Sequence, residues 1–360
     1  MARIVYLILI IWSVASACIS ESLVIYDSLV ISETNADFSF KTTNNIEING
    51  ICISDTITLV ASSQGIIVKF PNDQNWRQLV TCEEYADNWH DNITRAEQEN
   101  ALYRPKNIWE ASRAGEFMVF DDRCERFYSL DITESLNEQF HILKRPHEKS
   151  MIENIDVSRH LILCGLYPLN HKHQVGVLKP DFSGYRSIFD IPRQVRHNLD
   201  SMGAEYYPSP VFNLVNSTIW VAFRHYNRIY IIDLDGRIQD SVRIDDPRFV
   251  VPQPPASRIK SPAVHDDWYS KCSSVYSLQY VAPGYLFLQF YGTGLRTDGG
   301  SRRSVYSLLW TAEGESVEFE INPRWKTVDI QSGRCLPFVT YNYEDSVFKC
   351  ATVYLTRIEP

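Results

Sequence analysis

The densest chemistry in this sequence is Val264-His265-Asp266-Asp267-Trp268-Tyr269, with an imidazole, two carboxylates and two aromatic rings in succession. Such a set binds a cation or a sugar, and His265 beside a carboxylate has the makings of a general base. No paired nucleophile or oxyanion donor accompanies it, so ligand binding at His265, Asp266, Asp267, Trp268 and Tyr269 stands ahead of catalysis. The ordinary alternative is an exposed loop whose neighbouring side chains point apart. Arg224 and His225 stand in a polar break between two apolar runs. A break of this kind lies at one end of a sheet, where the pair either borders a pocket or forms a plain hairpin tip. Asp121 and Asp122 offer carboxylates to a divalent metal, Asp121 first; the other reading is strand-end capping or pairing with Arg126. In His171-Lys172-His173 the central cation opposes a metal held by the two imidazoles. Ser301-Arg302-Arg303 is a small basic cluster in a Gly-rich loop, suited to an anion or to water. No GxSxG, HExxH, P-loop or GxGxxG occurs, and the cofactor, if there is one, is unknown from the sequence.

The elements that must position these residues are strands. Ser217–Ile244 reads as three in a row: apolar Ile219–Phe223, the break Arg224–Arg228, apolar Ile229–Leu234, the Asp235-Gly236 turn, and an alternating strand Arg237–Ile244. β-branched and aromatic residues bounded by Asp-Gly are a strong hairpin signal. The same pattern occurs 102 residues earlier, where Phe117–Leu136 aligns without a gap on Ile219–Ile238. Val119 matches Val221, Arg126 matches Arg228, Tyr128 matches Tyr230 and Asp131 matches Asp233. A recurring sheet unit means a propeller or solenoid before anything else.

Six such units are legible: Ile46–Phe70, Phe117–Ile142, Ile155–Phe189, Pro210–Ile244, Val275–Ile321 and Val328–Ile358. Their period is about 50 residues. Asn72–Asn107 reads as polar and irregular, with a short helix or long loop at Cys82–Asn100. Asp245–Lys271 carries five prolines and reads as a long loop or lid. Leu23–Ile31 is a strand standing alone, suited to completing the last blade. The expected fold is all-β, a six-bladed β-propeller with blades of about four antiparallel strands, occupying 18–360 as one domain; a double β-sandwich is the alternative.

Residues 1–17 read as a signal peptide: Arg3, the apolar run Ile4–Val14, then Ala15-Ser16-Ala17. The apolar run is too short to span a bilayer. With Cys18 following, the segment resembles a bacterial lipoprotein lipobox, departing from it at Ala15, where that family usually carries Leu. The resemblance implies lipidation of Cys18 and a secreted or periplasmic protein held to the membrane by lipid only. Plain secretion is the alternative. The formal charge of −9 argues against nucleic acid as a partner. Seven cysteines remain after Cys18, an odd number that leaves one thiol free; Cys272–Cys335 and Cys335–Cys350 are both open as bridges.

Asn227-Arg228-Ile229 with Asp233 and Gly236 resembles the blade motif of six-bladed propellers of the NHL and TolB-like kind. Arg126 and Asp131 match it as well, whereas Glu125 and Glu134 depart from it. The likeness spans nearly the whole chain in architecture, and it resembles bacterial envelope propellers that carry a lipoprotein signal. That group is defined by fold, and fold does not imply function. The resulting expectation is a non-catalytic binding or scaffolding module. It would act through the face made by the long loops Asp245–Lys271 and Gly292–Arg303 on an unidentified protein or small molecule. Two other readings stand beside it. One is a metal-assisted hydrolase or lyase with its site in the funnel. The other is a structural subunit of an envelope complex.

Overall fold

The apolar runs that lack alternation become strands covered on both faces. In the computed structural model β1 (Ser22–Ser32) comes first in sequence and joins last. Blade 1 is β2 (Ile48–Ile53), β3 (Thr58–Ser62), β4 (Gly65–Lys69) and β5 (Arg77–Thr81). Blade 2 is β6 (Pro105–Glu110), β7 (Glu116–Asp121), β8 (Arg126–Asp131) and β9 (Gln139–Ile142). Blade 3 is β10 (Met151–Val157), β11 (Ile162–Tyr167), β12 (Val175–Leu178) and β13 (Arg186–Phe189). Blade 4 is β14 (Pro208–Asn213), β15 (Thr218–Phe223), β16 (Arg228–Ile232) and β17 (Ile238–Arg243). Blade 5 is β18 (Ser274–Val281), β19 (Tyr285–Tyr291), β20 (Val305–Trp310) and β21 (Ser316–Phe319). Blade 6 uses β22 (Lys326–Thr327), β23 (Asp329–Ile330), β24 (Leu336–Glu344) and β25 (Val347–Glu359). The described residues are 22–32, 36, 46–83, 102–111, 115–124, 126–132, 139–142, 151–158, 161–167, 175–181, 183–189, 192, 208–213, 215–252, 267–268, 270–281, 284–293, 304–310, 316–319, 326–330, 335–344 and 347–359.

Within blades 1 to 5 the consecutive strands pair antiparallel, innermost first. The six units read from the sequence are the six blades, which excludes the double sandwich. The second strand of a blade is buried almost throughout, as in β3, β7 and β15. The outermost strand is wet, as in β17 and β5. Six apolar clusters fill the six spaces between blades. One joins blades 3 and 4 through Leu163, Val177, Phe189, Phe212, Val221 and Phe223. Others join blades 1 and 2, 6 and 1, 4 and 5, 2 and 3, and 5 and 6.

Closure is double. β1 pairs antiparallel along β25, from Ser22 opposite Glu359 to Ser32 opposite Cys350, and becomes the outermost strand of blade 6. On the inner side, β22 pairs with β24, while β23 crosses to pair in parallel with β2 of blade 1. Trp76 of blade 1, fully buried, donates its indole N–H to the Val30 carbonyl of β1 at 2.9 Å.

Three readings change. Asn72–Asn107 is not wholly irregular, since it holds β5 and the first half of β6; residues 84–101 lie outside the described residues. The polar stretch Asn342–Ser346, which reads from its composition as a turn between two strands, keeps Asn342–Glu344 within β24. All seven cysteines after Cys18 are free, so neither bridge forms.

Gly236 shows how closely the blades approach. Its φ is +83°, and a Cβ there would lie 1.4 Å from the Ile188 carbonyl oxygen of blade 3. Gly115 has a similar φ of +81°, but its nearest neighbour would be the Ile132 oxygen at 3.5 Å. Gly115→Ala is expected to cost the left-handed strain alone, about 1–2 kcal/mol. Gly236→Ala adds a backbone clash and should cost about 3–5 kcal/mol. Urea unfolding of the two variants measures the difference, and equal losses would contradict the close contact.

Candidate functional site

The inner strands all begin at one end of the ring, and there they surround a cavity of about 410 Å³. Every blade contributes: Glu47, Ile48 and Asn49; Arg104, Lys106 and Asp122; Asn154 and Ile155; Ser209, Pro210 and Arg224; Tyr276, Ser277 and Leu278; Thr327 and Val328. Four inner strands carry a bulge at their start. Pairing skips Asn49 in β2, Lys106 in β6, Glu153 in β10 and Tyr276 in β18. A bulge leaves one residue outside the ladder and re-aims it. Asn49, Lys106 and Tyr276 all line the cavity. Blade 4 has no bulge at this position, and Pro208 and Pro210 open its strand instead.

Amide side chains tie neighbouring inner strands together around the opening. Asn49 Nδ2 donates to the Pro105 carbonyl at 2.9 Å, and Asn154 Nδ2 to the Pro208 carbonyl at 3.1 Å. Gln279 Nε2 donates to the Val328 carbonyl at 2.9 Å. The Ile48 N–H donates to the Tyr341 hydroxyl at 2.8 Å, which pins blade 1 to the long hairpin of blade 6. Burial pushes the Tyr341 phenol up from its ordinary value, so it stays a neutral hydroxyl.

The charged residues of the cavity form an arc across blades 2 to 4. Arg104 grips Asp122 through two nitrogens, with Nη2 to Oδ2 at 2.6 Å. The Asp122 carboxylate is 5% exposed, whereas Arg104 is 38% exposed. Lys106 Nζ lies 3.8 Å from Asp122 and donates to Asn154 Oδ1 at 2.8 Å. Arg224, half-buried on blade 4, lines the far end of the arc. The exposed Glu47 of the neighbouring blade 1 also lines the cavity.

The residues singled out from the sequence fall in different places. Asp121 is fully buried beside this arc; its carboxylate accepts from the backbone N–H groups of Tyr103, Arg104, Arg123 and Cys124 at 2.6 to 3.2 Å. Burial pushes its carboxyl up, and the amides of Tyr103, Arg104 and Arg123 pull it back. This is a cap that fixes the loop before β6 against the end of β7. His225 is 1% exposed and Trp268 5% exposed, and their rings meet edge to face at 5.9 Å. His225 Nδ1 lies 2.9 Å from the Ser273 carbonyl, and Trp268 Nε1 donates to the Pro252 carbonyl at 3.3 Å. Both pack at the interface of blades 3 and 4 and lie outside the cavity lining. Asp267 is exposed and pairs with Lys271 at 2.7 Å. His265, Asp266 and Tyr269 lie outside the described residues, as do Cys18, His171–His173 and Ser301–Arg303. Among the described residues no group of three or more His, Cys, Asp or Glu is arranged to hold a metal. Burial pushes the Cys52 thiol up to about 12, and raises Cys164 and Cys124 as well, so these are packing groups rather than nucleophiles. Sequence reasoning missed Lys106, Asn154 and Tyr276. The available signal was a polar residue two positions ahead of a buried isoleucine near the start of an inner strand, as in Asn49-Gly50-Ile51 and Lys106-Asn107-Ile108.

The Asp245–Lys271 segment begins as a fixed strap. Ile244 and Phe249 are buried between blades 4 and 5, and Phe249 meets Phe290 edge to face at 5.1 Å. Ser273 closes the strap: its N–H donates to the Val250 carbonyl at 2.7 Å, and its hydroxyl to the Arg248 carbonyl at 3.0 Å. Arg248 binds Asp246 through Nε and Nη2 at 2.9 and 2.6 Å and lies over the Tyr306 ring at 4.5 Å.

No family model matches the chain, and no curated protein matches it. Solved structures do. A member of the DUF4221 family from Bacteroides vulgatus superposes with a TM-score of 0.61 at 8% identity, covering 94% of this chain and 98% of that one. A protein from Lactobacillus plantarum matches at TM-score 0.46 and 9% identity, covering 87% and 88%. A catalytically inactive virginiamycin B lyase from Staphylococcus aureus, with quinupristin, matches at 0.45 and 12%, covering 93% and 100%. At these identities the first likeness establishes the propeller fold alone.

Asp246 gives a pH test of the strap. The Arg248 side chain holds its carboxyl below the ordinary value, burial partly opposes this, and the Arg248 N–H adds to it. The folded value therefore lies below the unfolded one, which is about 3.9. The stabilisation is present above that value and is lost as pH falls through the folded one. Asp246→Asn should lower the urea midpoint at neutral pH, and the two proteins should draw together as the pH falls through the depressed folded value. A difference that persisted unchanged in acid would contradict the ion pair.

Proposed function

We propose that this chain is an extracytoplasmic, lipid-anchored propeller that binds its ligand, without turning it over, at the face where the inner strands begin. The observation that carries this reading is the cavity built from the strand starts of all six blades. A concave site framed by rigid strands and fringed by longer connections is the usual form of a ligand pocket. Both long segments leave the ring at this face. Asp245–Lys271 joins the end of β17 to the start of β18, and Gly292–Arg303 follows the end of β19, whose Tyr291 pairs with Ser274 at the start of β18. The charged groups of the lining are three cations and two carboxylates, one of which Arg104 and Lys106 already neutralise. Such a set recognises charge rather than shuttling protons. The anchor rests on Ala15-Ser16-Ala17-Cys18 and on the position of β1. Ser22 pairs with Glu359, at the end of the ring opposite the cavity. A lipid at Cys18 would leave the opening turned away from the membrane.

Ser209→Trp should fill the cavity from β14 while leaving the melting temperature close to wild type. Native mass spectrometry of wild-type protein purified without refolding should show a bound small molecule that the variant lacks. Chemical conversion of that molecule by the wild type would replace the binding reading with an enzymatic one. For the anchor, Cys18→Ser should move the protein from the membrane fraction to the soluble fraction and remove the acyl mass from its N-terminal peptide. Membrane retention by the variant would refute lipidation.

A further inference from the structure

The cavity carries charge opposite to that of the chain. The protein has a formal charge of −9, yet three basic residues against two acidic ones line this opening. Their exposure sharpens the contrast. Asp122, at 5%, lies beneath Arg104 as its counter-ion, whereas Arg104 at 38% and Lys106 at 26% remain open to solvent. A bidentate carboxylate holds a guanidinium in one plane and one orientation. Asn154 fixes the ammonium of Lys106 at 2.8 Å while bonding across to the Pro208 carbonyl, so the cationic arc is tied from blade 2 to blade 4. Arg224 completes it. Glu47, the second carboxylate of the lining, lies on blade 1 near Tyr341 and Tyr343. Tyr276 offers a partly exposed ring from blade 5, steadied edge to face by Tyr291 at 5.1 Å.

Pre-oriented cations in a concave site focus field and bind anions more tightly than the same charges on an open surface. The wall from Tyr276 to Leu278 suits an apolar or ring portion of the same molecule. We infer that the ligand of this cavity is a small organic anion. Its carboxylate or phosphate group lies on the arc of Arg104, Lys106 and Arg224, and its body lies toward Tyr276. This inference rests on the reading of the cavity as the binding site and names the class of ligand it takes.

The test is calorimetric titration of the full mature chain with citrate, inorganic phosphate, glucose 6-phosphate and, as the uncharged control, glucose. At least one organic anion should bind, more tightly than glucose, with an affinity that falls as salt is added. Arg224→Met and Lys106→Met should each weaken it roughly tenfold or more. Arg224 lies outside the Arg104–Asp122 pair, so its variant keeps the result interpretable if Lys106→Met melts early. Citrate binding would assign the group to carboxylates, and glucose 6-phosphate binding to phosphates. Failure of all three anions, or unchanged affinity in Arg224→Met, would overturn the anion assignment. Wild-type binding of glucose that Ser209→Trp abolishes would sink the anion class and keep the cavity as the site. Anion binding that Ser209→Trp leaves intact would remove the site as well.

Discussion

Each blade in this ring depends on having a neighbour on both sides. β3, β7, β15 and β19 are buried nearly from end to end, a state no single sheet can supply. The apolar surface of a second strand is divided between two interfaces: Val221 and Phe223 pack toward blade 3, Trp220 and Ala222 toward blade 5. Alternation along the strand sends successive side chains to opposite faces, and here both faces are core. Burying a large apolar side chain stabilises by about 1.5–3 kcal/mol. Six clusters of such residues make the ring stable only as a whole. The cavity follows from the same packing, because inner strands held by their blades cannot collapse into the axis.

Legibility in the sequence followed burial. Ser217–Ile244 could be read because β15 and β16 are continuous apolar runs and Gly236 marks the turn. β6 could not. Its first three residues, Pro105, Lys106 and Asn107, are polar or strand-averse, and Lys106 among them lines the opening, so the apolar pattern starts only at Ile108. β5 was lost because it is an outer strand whose residues are only partly buried and carry no apolar run. The positions that build the site therefore belong to the class that periodicity conceals. Residue type misled in a second way. His225 and Trp268 drew notice as an imidazole and an indole, but their tertiary setting packs them against each other inside a blade interface. Arg224, one position away, faces the opening. Sequence adjacency placed the pair at one end of the ring and could not say which of the two lined a cavity there.

The rim of the cavity is held by polar contacts, not apolar ones. Asn49, Asn154 and Gln279 each bond to a carbonyl of the next inner strand, and Asp121 gathers four backbone amides at the edge of blade 2. A buried carboxylate that receives several N–H donors fixes backbone geometry at a cost that only complete hydrogen bonding offsets. Such contacts define positions more sharply than slippery aliphatic packing does. Arg104 and Lys106 inherit that definition, because both leave the backbone within two residues of the amides that Asp121 holds.

The seam between β1 and β25 sets an order of events. These are the first and last strands among the described residues, and they pair over almost the entire length of β1. During synthesis β1 emerges while its partner does not yet exist. Its Leu-Val-Ile and Leu-Val-Ile stretches must wait unpaired through the making of five blades. Contacts this distant in sequence form late and slowly, and a waiting edge strand is open to wrong partners. The nascent protein thus has a period of vulnerability that ends only with the final strand, and escorts that shield extended apolar segments would act on it then.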